Sequence, residues 1–225
     1  MTSVGLLTAN LGGFDTVVPP VEQVGVTATW HLFTDQNFPP RVRSLSARMQ
    51  ARIPKCFGHE MVPLHDVYLW VDASLHVSKP DTAAWFVDQL GNNEMALFLH
   101  PWRATIHEEA AYIRQKIADG NHYLTARYAG EDIDGQMAEI ARDRAYVDDV
   151  LYASTAFAYR PTFRVTSALK EWWYHISRYH SVDQLALPYV VRHLLVSQIA
   201  EPVYKASHLT MVRAKTGTGR SKERA

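Results

Sequence analysis

Asp72 and Ser74 close an apolar run, Val67-Tyr68-Leu69-Trp70-Val71, and set a carboxylate and a hydroxyl at the end of a buried strand. Oxygen ligands of that kind suit a hard divalent cation such as Mg²⁺ or Mn²⁺. Arg48, Arg52 and Lys55 follow i, i+4, i+7 spacing, which puts three cations on one helix face. Arginine grips phosphate through paired hydrogen bonds, so this face reads as a phosphate clamp. Each feature also has a plain structural reading. An aspartate after a strand is a common turn former, and a basic helix face is often only a solvated one.

Further polar groups fall at the ends of other apolar runs. Asn10, Gly12 and Gly13 follow Val4–Ala9, Thr34-Asp35 follows the run to Phe33, and His100 follows Met95–Leu99. Ligands of open α/β sheets sit beyond the carboxyl ends of the strands, so Asn10, Asp35, Asp72 and His100 are candidates to converge on a polar, phosphorylated ligand. The paired glycines do not carry the G-x-G-x-x-G spacing of a dinucleotide fingerprint, and a tight turn explains them equally well.

The elements that must position these groups alternate between strand and helix. Apolar runs predict strands at 4–9, 24–33, 67–72, 95–99 and 151–159. Helices are predicted over 41–57, 81–90, 106–118, 132–145 and 163–179, with a last one capped by Ser181 and running to about residue 200. Glu108 and Glu109 fall in a first helical turn, where acids favour the helix dipole. The expected fold class is α/β, a mostly parallel twisted sheet flanked by helices.

The chain has 225 residues, zero formal net charge and a pI near 7.2, so no global charge excess points to nucleic acid or to disorder. Cys56 is the single cysteine, which excludes an internal disulfide framework and a multi-cysteine zinc site. The amino terminus lacks a basic region followed by a long apolar one, and no run approaches a membrane span. The expectation is a cytoplasmic protein without membrane insertion. It reads as one domain over 1–204, followed at 205–225 by a basic, flexible tail that includes Lys205, Arg213 and Arg220.

Several stretches, in order over residues 4–190, resemble a family of glycosyltransferase-like domains of plant and bacterial proteins, whose plant members are linked to cell-wall polysaccharides and pollen-tube development. TANLGGFD at 8–15 is similar to the family's opening strand and glycine turn, and Phe33-Thr34-Asp35 to its FTD element. Ala51-Arg52-Ile53-Pro54-Lys55, with His59 beyond, resembles its AR-x-x-K helix. Tyr68–Ser74 resembles its central strand, His100-x-x-Arg103 with Glu108-Glu109 the following segment, and Asp183-Gln184 its late pair. Two positions depart. Ser74 stands where most GT-A enzymes carry the second acid of Asp-x-Asp, and Val182 where the family usually has arginine.

The resemblance implies a GT-A-like, Rossmann-like fold and transfer of a sugar from a nucleotide-sugar, most readily a UDP-sugar, to a hydroxyl. Under it, Asp72 holds Mn²⁺ or Mg²⁺, with Ser74 contributing directly or through water. Arg52 and Lys55 meet the diphosphate. Asn10, Gly12, Gly13 and Asp35 receive the base and ribose, while Arg103, Glu108, Glu109 and Gln184 orient the donor. Asp183 is the candidate base, and Trp172, Trp173 and His100 the candidate acceptor surface. The acceptor is a glycan, a small molecule or a hydroxymethylated base in DNA, for which the Arg41–Lys55 stretch and the tail would supply phosphate contacts. Two other readings stand beside this one. One is a hydrolase with a metal between His59, Asp72 and His100; the other is a catalytically silent nucleotide-sugar-binding module.

Overall fold

The computed structural model describes residues 1–39, 44–179 and 182–212. Its main sheet holds β1 (Ser3–Asn10), β2 (Thr27–Thr34), β3 (Val67–Val71), β5 (Met95–Leu99), β6 (Tyr152–Tyr159) and β7 (Val196–Ile199), ordered β2-β1-β3-β6-β5-β7. β1 pairs in parallel with both β2 and β3, and β5 with β7. β6 lies antiparallel between β3 and β5. Five strands therefore share one direction, and their carboxyl ends form one rim.

Every residue of β3 is buried, because both faces of the sheet are covered. Val67, Leu69 and Val71 pack with Ala83, Phe86 and Leu90 of α3 (Thr82–Leu90). Tyr68 and Trp70 point the other way, into a core built with Cys56 of α2 (Arg52–Met61) and Val165, Leu169 and Trp172 of α7 (Phe163–Arg178). The period-two alternation of side chains along a strand thus divides one apolar run between two helical layers. Gly58 lets α2 lie close on the sheet: a Cβ there would fall 2.3 Å from Leu7 Cδ1. A third cluster joins Ile106, Ala110 and Ile113 of α4 (Ile106–Ala118) to Ile133, Met137 and Ile140 of α6 (Ile133–Ile140), with Val182 and Leu185. Leu185 belongs to α8 (Asp183–Val191).

The structure redraws several predicted elements. The helix expected over 41–57 is α1 (Ala47–Gln50) followed, across Ala51, by α2. The helix expected over 132–145 stops at Ile140, and α5 (His122–Tyr128) lies where no element was expected. The last helix ends at Val191 rather than near 200, and the chain then forms β7. The basic segment does not leave the fold at 205. Leu209–Met211 forms β8, which pairs antiparallel with β4 (Leu75–Val77), and Val212 N–H donates to the Ser74 carbonyl at 2.8 Å. Ser181, expected to cap α8, and the basic residues from 213 onward lie outside the described residues. Among the described residues, no helix is long and apolar enough to cross a membrane.

Candidate functional site

A cleft of about 190 Å³ opens at the carboxyl rim, lined by Arg52, Asp72, Ser74, Arg103, Glu109, Asp183 and Gln184 among others. Those residues come from α2, the β3–β4 turn, the segment before α4, α4 and the start of α8. Ser154 and Thr155 of β6 complete its floor, and Thr155 fixes the Asp72 backbone by accepting its N–H at 2.8 Å.

Lys55 is the buried hub beneath the cleft. Its side chain is fully excluded from solvent, and Nζ lies 2.7 Å from Asp183 Oδ2 and 3.4 Å from Asp72 Oδ1. The ammonium also sits over the rings of Trp70 and Trp172, at 5.6 and 5.5 Å. Burying an ammonium this deeply is tolerable only with such partners, since an unpaired buried charge is costly. The same two indoles fix the acids: Trp70 Nε1 donates to Asp72 Oδ1 at 2.8 Å, and Trp172 Nε1 to the Asp183 carbonyl at 2.7 Å. Asp183 Oδ1 accepts from Ser154 Oγ at 2.7 Å, and Arg52 Nε lies 3.0 Å from Oδ2, out of hydrogen-bond alignment.

The two acids of this cluster differ in exposure. The Asp72 side chain is 28% exposed and faces the cleft, whereas that of Asp183 is 8% exposed. Burial pushes the Asp183 carboxyl up, but Arg52, Lys55 and the hydrogen bonds from Lys55 and Ser154 outweigh it and lower its pKa to about 2. Both of its oxygens are already engaged, Oδ1 by Ser154 and Oδ2 by Lys55 and Arg52, an arrangement that suits fixing the two cations better than the expected role as base.

A second polar group joins it across the cleft. Buried Glu109 is paired with Arg103 through Nε and Oε2, and its Oε1 accepts from Gln184 Nε2. Burial drives the Glu109 carboxyl up, while Arg103 and Gln184 pull it partly back. The Arg103 guanidinium lies 4.0 Å over the Tyr112 ring. Glu108 bonds elsewhere. It accepts the Ala104 N–H at 2.7 Å, and its own N–H donates to the Thr105 hydroxyl at the start of α4. That is a capping role, and Glu108 does not line this cleft. His100 Nδ1 accepts the backbone N–H of Arg103 at 3.1 Å. Burial, with the Arg103 charge, lowers its pKa to about 4, so the ring is neutral at pH 7 and this hydrogen bond assigns its proton to Nε2.

The turn at 10–13 stands on the same rim but outside the cleft lining. Both Asp35 oxygens accept the Gly12 N–H, at 3.1 and 2.9 Å, and Asn10 Nδ2 donates to the Asp15 carbonyl at 2.9 Å. Gly12 and Gly13 have φ of 72° and 63°, and no heavy atom lies within 4 Å of where a Gly13 Cβ would be. β1 is bonded between β2 and β3, so Asp35 is two strands, or about 10 Å, from Asp72.

Two expectations are corrected. Trp172 is fully buried in the core, and half-buried Trp173 packs in a T-shaped contact with Phe57; neither lines the cleft. The three-residue metal site of the hydrolase reading does not form. His59 approaches Tyr159, at the far end of β6, while His100 follows the β5 residue paired with Tyr152, roughly 20 Å away along the strand. Among the described residues, no three His, Cys, Asp or Glu side chains gather as a metal cage.

Trp102, Tyr112, Tyr123, Arg127, Tyr128 and Tyr204 also line the cleft, and sequence reasoning passed over them. Trp102 is 55% exposed and stacks on Tyr204, with ring centres 5.6 Å apart and planes at 17°. An aromatic residue just past a strand end was the available signal for Trp102. Tyr204 lay in a segment read as the approach to a tail.

The model of the TOD1/MUCI70, glycosyltransferase-like domain matches residues 20–212. The chain belongs to that family. No curated protein matches it. The mixed α/β layout, a six-stranded sheet flanked by helices, is consistent with a glycosyltransferase-like domain. The matched span takes in β8, consistent with the place of residues 205–212 inside the fold. It also covers Arg52, Lys55, Asp72, Arg103, Glu109, Asp183 and Gln184.

Proposed function

We propose that the protein transfers a sugar from a nucleotide-sugar to a hydroxyl acceptor, with the donor's diphosphate in the cleft beside Arg52, Asp72 and Arg103. The observation that carries this reading is the gathering of Arg52, Lys55, Asp72 and Asp183 from distant parts of the chain at the rim where α/β folds bind ligands. Arg52, Lys55, Arg103 and Arg127 against Asp72, Glu109 and Asp183 leave one positive charge in and under the cleft. That surplus draws in an anion. The nucleoside extends toward the Gly12–Gly13 turn, whose open Gly13 side leaves room for a ring.

Asp72 and Ser74 fit a divalent cation only as a shared site. One carboxylate, whose Oδ1 already takes Trp70 and Lys55, and one hydroxyl are too few ligands for an ion that takes six or more oxygens. Asp72 and Ser74 would hold such an ion only together with a bound diphosphate, and it would supply charge neutralisation for the leaving group. The protein's own part is fixed geometry. Asp183 and Asp72 hold Lys55 and Arg52 in place before the donor arrives, so little reorganisation accompanies the growth of charge on the diphosphate. Glu109 and Gln184 do the same for Arg103. The acceptor oxygen bonds to the anomeric carbon, and the bond to the diphosphate breaks with its electron pair on phosphate oxygen. The acceptor proton passes to water in the open cleft.

A thermal-shift panel of UDP-, GDP-, CMP- and dTDP-sugars tests the reading, with UDP-sugars first. A donor that binds the native state raises the melting temperature by mass action. Arg52→Ala is expected to remove most of that shift. A panel with no shift for any nucleotide-sugar, with or without Mn²⁺, would refute the proposal.

A further inference from the structure

The donor cleft is not the largest cavity at the rim. A groove of about 1070 Å³ lies beside it, and the two share His100, Trp102 and Arg103. The partition between them is thus the short segment after β5. Small-molecule pockets run to about 1,000 Å³, so the groove has room for more than one ring. Its far wall is β7, an edge strand of the sheet, which contributes Val196 and Gln198.

The charges in the groove select against a polyanion. Its two arginines, Arg103 and Arg192, share the lining with Glu108, and Arg192 is also paired with Asp143 and Glu171 at 3.3 and 3.6 Å while lying 3.8 Å over Tyr189. Exposed Asp149 faces the groove and adds negative charge. In the basic stretch before β3, Arg48 pairs with Glu131, Lys55 is buried, and Arg52 faces the donor cleft. A DNA backbone needs uncommitted cations, and neither surface offers a row of them among the described residues.

Trp102 supplies the other half of the recognition. It lines both cavities at their junction, more than half exposed, with its indole backed by Tyr204. Tryptophan and tyrosine are enriched at binding surfaces because each joins a large apolar face to a polar tip. A pyranose has an apolar C–H face that lies against such a ring, and a rim of hydroxyls that Gln198 and Asp149 can bond. We infer that the groove between Trp102 and β7 binds a neutral oligosaccharide as the acceptor, with the end to be modified lying on Trp102 at the mouth of the donor cleft. This assignment rests on the transferase reading given above.

Direct binding separates the two. Neutral gluco-, galacto-, xylo- and manno-oligosaccharides of three to six units are titrated by calorimetry in the absence of any nucleotide, alongside the nucleotide-sugar thermal-shift panel. At least one neutral series is expected to bind, with affinity insensitive to salt. Trp102→Ala should weaken it about tenfold, the loss of one good aromatic contact, with Trp102→Phe recovering most of the affinity. Gln198→Ala, which lies in the groove alone, should weaken it several-fold and leave the nucleotide-sugar shift unchanged. The inference is overturned if no neutral oligosaccharide binds, or if these substitutions leave glycan affinity intact. It is also overturned if hydroxymethylated duplex DNA is the ligand that binds, more tightly in Asp149→Lys and more weakly as salt rises. Glycan binding without any nucleotide-sugar shift would sink the transferase reading and leave the groove assignment as a carbohydrate site.

Discussion

Replacing Asp183 by Asn separates a base from a scaffold for two cations. The folded-state carboxyl sits at about 2 against an ordinary 3.8, a difference worth about 2 kcal/mol of stability once the group is ionised. Because the folded pKa is the lower one, that stability is complete above about pH 4 and drains away as pH falls toward 2. Asn removes the charge at every pH. It also leaves Lys55, fully buried, and Arg52 facing an amide, and breaking a buried ion pair from one side costs about 3–5 kcal/mol. The larger figure is the better guide, since protonation retains a small carboxylic acid while substitution places an amide against two cations. A loss of about 3 kcal/mol is therefore expected in urea unfolding at pH 7, shrinking as pH falls below 4. Pairing D183N with Lys55→Met should cost less than the sum of the single changes, as it does for groups in one network.

Kinetics then separate the roles. If Asp183 fixes Arg52 and Lys55, D183N weakens nucleotide-sugar binding and kcat together, and the acidic limb of the pH–rate profile stays where it was. If Asp183 is the base, D183N keeps wild-type stability and donor affinity, loses kcat alone and removes that limb. The second outcome would refute the argument from burial and pairing.

Three other perturbations test separate parts of the structure. Mn²⁺ alone should leave the melting temperature unchanged, and Mn²⁺ with a bound nucleoside diphosphate should raise it; Asp72→Asn should abolish that second increment, and a Mn²⁺ shift without nucleotide would show a self-sufficient ion site. His100 has a folded pKa of about 4 against 6.5, so the unfolded chain binds the extra proton between those values and stability falls as pH drops from about 6.5 to 4. His100→Gln should flatten that slope in pH-dependent chemical denaturation, and an unchanged slope would place the titration elsewhere. Gly58→Ala should destabilise by about 1–3 kcal/mol through overpacking against Leu7, measured by urea midpoint at constant m-value.

The legible parts of this fold are those that local pattern decides. β3 could be read because a strand covered on both faces must be apolar at every position, and Thr105 with Glu108 carries its capping signal within four residues. β7 could not: four residues, Val-Ser-Gln-Ile, are too short to reveal a period, and Pro188 inside α8 gave no sign of ending that helix, which runs on to Val191. The candidate site divides in the same way. Strand-end position alone brought Asp72 and His100 forward, but the meeting of Lys55 with Asp183 spans 128 residues and exists only once α2 and α8 have both docked on the sheet, where Ser154 of β6 also bonds the carboxylate. Trp172 shows the cost of reading residue type without that partner. A tryptophan on an amphipathic helix serves equally as a stacking surface or as core, and it is buried Lys55 that decides: an ammonium placed below the cleft needs aromatic faces beside it and a carboxylate ahead of it. Trp70 and Trp172 supply the faces and Asp183 the carboxylate. The aromatic surface left for a ligand is then Trp102, exposed on the rim where no buried cation claims it.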